Sequence, residues 1–489
     1  MSANKSIVSG MVWKLLERFG VQTIQFILQL VLARLLDPEN YGVLALMIVF
    51  INIATVFVQS GFNTSLIQNP DVTEDDYSSV FWVSLAIATG LYIILFFSAP
   101  RIASYYDMPQ IIVPFRVLAL MLFPGALNSV QLAKVSREMD FRKVFYSNIG
   151  GIVISAGLGI VLAFKGFGLW ALVAQTLLNG LIAALVMVFT VDFRPRLVCD
   201  MRRVGILFSF GWKLMAASLL DTVYLELRSL VIGKKYTAET LGYYNRGKQF
   251  PQFAINGING AVQSVMLPAM SAKQNNPRAV RDIMRRSIIV SSYLIFPLMG
   301  ILAGMARPII QLLLTDKWLP AVPYMQVYCF VMAFFPIHTC NLQAINAMGR
   351  SDVFLKLEFV KKLLGVGLLV VALIAFDSPI AIALSGAVSA LLSTFINSYP
   401  NKVLIQYSYK EQLQDLLPQF VLSILMALLV IPVQFLRVPT SLHIILQLVV
   451  GAAFYLGASI LFKFEGFKLV KGMLDAIKMK RRSGTNKTS

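Results

Sequence analysis

Charge is scarce in this chain. Of its 489 residues, 14% are Asp, Glu, Lys or Arg and 57% are hydrophobic, whereas a soluble domain carries about 25% charged residues. So little polar side chain excludes an ordinary water-soluble globule. Cysteine is nearly absent. Cys199, Cys329 and Cys340 are scattered, with no metal-ligand spacing and no disulfide framework. His338 and His443 are the only histidines, too few for a histidine-based metal site. There is no Ser/His/Asp set, no Gly-rich phosphate loop ahead of a helix and no carboxylate cluster on a soluble domain. No motif therefore supports catalysis, and neither a cofactor nor a metal is expected. A cleaved signal peptide is not expected either, because Lys14, Glu17 and Arg18 stand where its apolar region would lie. Acidic residues are scarcer than basic ones, 24 against 43, for a net charge of +19. On a soluble protein that excess would raise the question of nucleic acid. Here it reads as the loop charge of the positive-inside rule, and no nucleic-acid partner is expected.

What the chain has in quantity is apolar length. Runs of around 20 apolar residues recur, long enough to cross a bilayer core as helices, and the alternation over about ten residues that marks a membrane β-barrel is missing. The fold class expected is an all-α polytopic membrane protein with about 14 transmembrane helices. The fourteen stretches lie near 10–35, 41–67, 79–98, 111–132, 144–164, 168–190, 204–232, 241–269, 287–306, 321–345, 354–376, 379–399, 416–436 and 441–462. Turns between them are short, such as Gly166-Phe167-Gly168 and Asp377-Ser378-Pro379. Lys and Arg collect in the even-numbered loops and in the tail, while the odd-numbered loops hold only Arg101, Lys165, Lys234, Lys235, Arg307, Lys317 and Arg437. That bias of more than roughly two to one places both termini in the cytoplasm. The acids Asp71, Glu74, Asp75 and Asp76 fall on the same cytoplasmic side, against the tone of the assignment. The basic tail is expected to lie on anionic lipid.

The chain repeats itself. Asp37-Pro38-Glu39 leads to Tyr41-Gly42, and Thr237-Ala238-Glu239 leads to Leu241-Gly242, 200 positions on. Each reads as a helix start, with a capping Asp or Thr, Pro or Ala in the first turn and an acid near the positive end of the dipole. Asn52, Gln59 and Asn63 correspond to Gln252, Asn259 and Gln263 at the same offset. Six spans make one unit, an even number, so two parallel-repeat six-helix lobes related by an axis along the membrane normal are expected around a central cavity. The domains drawn from this are an N-lobe (1–200), a C-lobe (201–405), and 406–489 with two extra C-terminal helices and the basic tail.

Polar residues inside apolar spans are costly, so they face a bundle interior or water. After Trp13 a stripe of Lys14, Arg18, Gln22, Gln25 and Gln29 falls within an arc of roughly 80°. After Trp212 the echo is Lys213, Asp221, Tyr224 and Arg228. Span two carries Asn52, Thr55, Gln59 and Asn63. Span eight carries Arg246 and Lys248 at its head, then Gln249, Gln252, Asn256, Asn259 and Gln263. One or two such residues per helix are explained by helix–helix packing, where an amide is worth about 0.6–2 kcal/mol. Four matching stripes, two with cations, favour a shared hydrated cavity. Lys213 and Arg228 would otherwise neutralise Asp221, and Glu226, on another face, would pair with a cation such as Arg246. Asp221 and Glu226 are the candidate coupling acids. His338 reads as a packed residue rather than a proton carrier.

The stretches LARLLDPENYGVLALMIVF (32–50), REMDFRKV (137–144), GFGLWALVAQ (166–175), LGYYNRGKQF (241–250) and DKWLPAVPYMQV (316–327) resemble the polysaccharide-transporter branch of the MOP exporter superfamily. They are most similar to Wzx-type lipopolysaccharide and exopolysaccharide flippases, including the colanic-acid-exporter-like group. The resemblance implies two lobes in a V around a cavity, in the bacterial inner membrane. It also implies a cargo: an oligosaccharide repeat unit linked by pyrophosphate to a polyprenol, taken to the outer leaflet by alternating access. Membrane lipids and polysaccharide polymerase or assembly proteins would be the other partners. On that reading Lys14, Arg18, Lys213, Arg228, Arg246 and Lys248 are the cavity cations. Gln22, Gln25, Gln29, Asn52, Gln59, Gln249, Gln252, Asn256, Asn259 and Gln263 are the cavity amides. Two alternatives stay open: a drug/cation antiporter of the same superfamily, and a membrane-embedded polysaccharide polymerase or ligase, whose large outer loop is missing here.

Overall fold

The computed structural model describes Trp13, residues 20–59, residues 61–473 and Asp475. Among the described residues every regular element is helical. A described helix lies on each of the fourteen expected stretches, and eleven helical stretches are long and apolar enough to cross a membrane. By contact the chain divides into two compact units, Met1–Asn245 and Arg246–Ser489.

The first unit holds α1 (Gln22–Leu35), α2 (Pro38–Gln59), α3 (Phe62–Gln68), α4 (Glu74–Tyr105), α5 (Ile112–Leu118), α6 (Leu122–Glu138), α7 (Phe141–Phe164), α8 (Leu169–Thr190), α9 (Met201–Lys235) and the first turns of α10 (Ala238–Ser271). Span two is broken into α2 and α3 at Gly61, whose φ of +83° suits only glycine. The same position lies backbone to backbone against α9: a Cβ on Gly61 would stand 2.5 Å from the Gly211 carbonyl oxygen. Ser65 donates to the Leu207 carbonyl at 2.9 Å beside it. α9 thus packs on α2, α3 and α4, within the first unit. The lobes 1–200 and 201–405 are a grouping by sequence symmetry, while the contact units divide within α10.

The repeated helix starts meet. A Cβ on Gly42 would lie 1.6 Å from the Ala238 carbonyl oxygen, and one on Gly242 would lie 2.1 Å from that of Pro38. Position 42 faces 238 and position 242 faces 38, the reciprocity that a two-fold relation produces.

The acidic loop finds its cations within this unit. Glu74 pairs with Lys134 at 2.7 Å, Asp75 with Arg196 at 3.1 Å and Asp76 with Arg203 at 2.7 Å. Asp76 is 3% exposed and takes two guanidinium bonds while completing a capping box with Thr73. Asp75 and Asp76 therefore bind the linker between spans six and seven, with the first turn of α9, to the start of span three, and Glu74 ties that start to span four. An apolar cluster of Phe62, Leu66, Tyr77, Val130, Phe193 and Leu207 lies beside them.

The second unit continues α10 and adds α11 (Pro277–Gly304), α12 (Ala306–Leu314), α13 (Val322–Ala333), α14 (Phe335–Ala347), α15 (Ser351–Ala375), α16 (Pro379–Ser398), α17 (Asn401–Leu404), α18 (Tyr409–Val430) and α19 (Thr440–Leu461). α18 and the segment that follows α19 are bonded into the repeat. Arg281 meets Glu411 at 2.8 Å, and Arg285 meets both Asp415 and Glu465 at 2.7 Å. Tyr407 donates to Asp415 at 2.7 Å, and burial together with that carboxylate pushes its phenol well above the ordinary range. Asn341, Asn401, Gln412 and Ser398 form a buried network at the same end. A last helix, 465–473, docks on Tyr293, Leu422, Met426 and Tyr455 through Phe464, Phe467 and Val470.

Candidate functional site

Lys14 and Arg18 lie outside the described residues. Trp13 sits 5.3 Å from the ring of Phe145 and 5.8 Å from that of Tyr146, with the Arg142 guanidinium 5.5 Å from its ring. Its echo Trp212 is 47% exposed. The two tryptophans therefore occupy different surroundings. Gln22, Gln25 and Gln29, on α1, are half-buried.

In the first unit spans two and seven join at one point, off the Lys213–Arg228 stripe, and there Glu226 takes an amide rather than the cation expected for it. The Asn52 amide donates to the Glu226 carboxylate at 3.1 Å. Lower on span two the amides serve packing. Gln59 reaches the Gly125 carbonyl at 3.5 Å and Asn63 that of Ser129 at 3.2 Å, both on span four. Lys213 and Asp221 are exposed on α9, whereas Arg228 is buried with its guanidinium 5.8 Å from the Tyr224 ring. Arg228, Asp221 and Tyr224 thus share one helix, with the cation held by an aromatic face.

In the second unit the head of span eight is built around tryptophan. Arg246 is 5% exposed, its guanidinium 5.7 Å from the ring of Trp318, and it donates to Gln249. Lys248 lies 5.9 Å from the Tyr328 ring. Trp318 belongs to the 3₁₀ turn Asp316–Ala321 and is fully buried. The neighbouring Gly247 allows the approach, since a Cβ there would stand 2.8 Å from the Ala321 carbonyl oxygen. Farther along α10, Gln252 and Gln263 are exposed, Asn256 is half-buried, and Asn259 accepts from Thr339 at 2.7 Å, a packing contact.

Two groups escaped the sequence reading. The aromatic partners Tyr224 and Trp318 were in plain view within the polar stripe and the DKWLP stretch, but periodicity does not say which ring meets which cation. The other is on α15, whose first turns carry Lys356, Glu358, Lys361 and Lys362. Lys361 and Glu358 pair at 2.5 Å with side chains 13% and 25% exposed. Counting charges per span would have singled this helix out. Nearby in sequence-distant packing, His338 is held by Asn397 at 3.2 Å. An apolar groove in the same unit is lined by Phe296, Phe330, Phe334, Leu391, Phe395 and Phe420.

Two units of membrane-length helices, with buried cations facing aromatic rings and amides along single helix faces, define a multi-pass helical membrane protein. Residues 31–323 match the family model described as "Polysaccharide biosynthesis protein". That is more than half of the chain, and the chain belongs to this family. It is 22% identical over 349 residues, 71% of either chain, to the succinoglycan biosynthesis transport protein ExoT of Rhizobium meliloti (strain 1021). It is 21% identical over 434 residues, 87% of either chain, to the lipopolysaccharide biosynthesis protein WzxC of Escherichia coli (strain K12). Its fold is that of the lipid II flippase MurJ in an inward closed conformation, with a TM-score of 0.75 at 13% identity over 93% of this chain and 99% of that one.

Proposed function

We propose that this protein is a flippase that carries polyprenyl-pyrophosphate-linked oligosaccharide repeat units, precursors of lipopolysaccharide, O-antigen or exopolysaccharide, across the bacterial inner membrane by alternating access. The observation that carries the reading is the buried Arg246, seated on Trp318 at the head of a polar helix, in a chain of the polysaccharide biosynthesis protein family. A guanidinium presented by a membrane helix suits a pyrophosphate, because its fork of donors matches phosphate oxygens and stays charged. Lys14, Arg18, Lys213, Arg228 and Lys248 add positive potential. Gln22, Gln25, Gln29, Asn52, Gln249, Gln252 and Asn256 supply bonds to sugar hydroxyls, and Gln59 and Asn259 support the helices that carry them. The phenylalanine-lined groove offers apolar surface to a polyprenyl chain. The lobes 1–200 and 201–405 would be the moving bodies, both termini would lie in the cytoplasm, and assembly proteins would take up the delivered unit. Glu226, hydrogen-bonded to Asn52, and Asp221 are the acids through which an ion would couple.

The test is genetic and chemical together. Deleting the gene should trap complete lipid-linked repeat units inside the cell and remove the surface polymer. Complementation with Arg246→Ala or Lys213→Ala should fail at normal protein levels. An unchanged lipid-linked pool with altered drug sensitivity would instead favour an antiporter and sink the flippase reading.

A further inference from the structure

We propose that the second unit carries a site for an anionic phosphate group at the end bearing the odd-numbered loops, between α12 and the turn that joins α18 to α19. The framework comes first. α11 ends at Gly304, where a Cβ would stand 2.5 Å from a Val430 methyl, so α11 and α18 touch at their ends. α18 stops at Val430 and tightens into the 3₁₀ turn Ile431–Phe435, since Pro432 has no N–H to continue the α ladder. The return helix α19 is fixed there: the fully buried Gln447 donates to the Val430 carbonyl at 2.8 Å. α12 buries Pro308, Ile309, Ile310 and Leu314. That leaves Arg307 and Gln311, four apart and so on one face, turned away from the core.

These elements frame a half-open cleft of about 280 Å³ lined by Arg307, Pro308, Gln311, Gln434, Phe435 and His443. Four of those six side chains are polar and none is an acid. Among the described residues Arg307 has no carboxylate partner, and Gln311 and Gln434 have no side-chain hydrogen bond. His443 bonds the Leu436 carbonyl through Nε2 at 2.8 Å. A carbonyl only accepts, so Nε2 carries the proton, and this bond fixes the ring at the pocket wall. A guanidinium without a counter-ion, flanked by two amides on a close-packed frame, is a receptor for a compact anion. A phosphate fits the guanidinium fork in a way that a sugar hydroxyl does not. The cleft is at the small end for a ligand pocket, suited to a headgroup rather than an oligosaccharide. Phe435 and Leu436 beside it are 76% and 52% exposed, an apolar rim suited to the chains of a lipid. The phosphate could equally arrive as free inorganic phosphate, and the experiment separates the two sources. The inference does not depend on the flippase reading.

Hydrogen–deuterium exchange of the full-length protein tests it in three settings: phosphatidylcholine nanodiscs, the same discs enriched in phosphatidylglycerol, and phosphatidylcholine discs with millimolar inorganic phosphate. Amides of 306–314 and 431–443 should exchange several-fold more slowly with phosphatidylglycerol, with phosphate, or with both. Protection by phosphatidylglycerol alone assigns a lipid headgroup, and protection by phosphate assigns the free ion. Arg307→Gln should abolish the slowing and Gln311→Ala should weaken it, while exchange along α11 and α18 stays as in the parent. Absence of slowing in both arms, or equal slowing in Arg307→Gln, overturns the proposal.

Discussion

Single side chains decide more here than the low charge content suggests. Asp76 shows why. It lies 3% exposed beneath Arg203, with both carboxylate oxygens on the guanidinium and one on the Thr73 amide. Replacing it with Ala removes one half of the capping box and the carboxylate partner of the partly exposed Arg203, so a loss of about 1–2 kcal/mol is expected. Thermal unfolding of the purified protein should show the drop, and a double-mutant cycle with Arg203→Ala should return a coupling different from zero. Arg246 poses a different question, of position rather than stability. Its charge is independent of Trp318, but its orientation over the ring is not. Trp318→Leu should reduce export strongly while leaving protein levels near normal, and Trp318→Phe should restore part of it. Equal export by all three forms would separate Arg246 from the cargo path.

At the scale of helices, contact distance between backbones is the controlling quantity. Membrane helices associate through close packing and small residues rather than through hydrophobic drive. The start of α2 against the start of α10 is such a contact, with room for no side chain at Gly42. Gly42→Ala should separate the two helix starts at a cost of about 1–3 kcal/mol and lower the unfolding temperature. Gly90→Ala, on α4 with nothing within 4 Å, should be neutral or slightly stabilising, by up to about 1 kcal/mol. The helices also show how far a polar stripe can be read. Gln59 and Asn259 lie on the stripes the sequence marks out, yet one reaches span four and the other span ten. A stripe tells which face is polar. Whether that face meets water or another helix depends on what packs there, and no periodicity encodes it.

For the molecule as a whole, two contact units each hold their own ion pairs. Asp76 and Arg203 belong to the first, and Arg285 with Asp415 and Glu465 to the second. These clusters share no partner, so the destabilisations of Asp76→Ala and Arg285→Ala should add within about 0.5 kcal/mol. Strong non-additivity in chemical unfolding would mean that the two clusters are energetically coupled. The tail takes part in this. Glu465 and the Phe464, Phe467 and Val470 face tie the helix at 465–473 to α11 and α18, so Glu465→Ala with Gly466→Val should release it to protease.

The sequence by itself determined the class, the span positions and the internal repeat. Membrane length, loop charge and a 200-residue offset are local or periodic properties, and each survives whatever the helices pack against. It also carried the family, through stretches such as DKWLP and LGYYNRGKQF. Only the tertiary structure decided that Asp75 and Asp76 bind the linker into α9, that α9 packs with α2 to α4, that Asn52 meets Glu226 while Gln59 reaches a span-four carbonyl, and that Trp318 seats Arg246. Each of those joins residues far apart in the chain. Their pairing is set by backbone approach at glycines and by which buried charge finds a partner, and neither is written in the order of the residues.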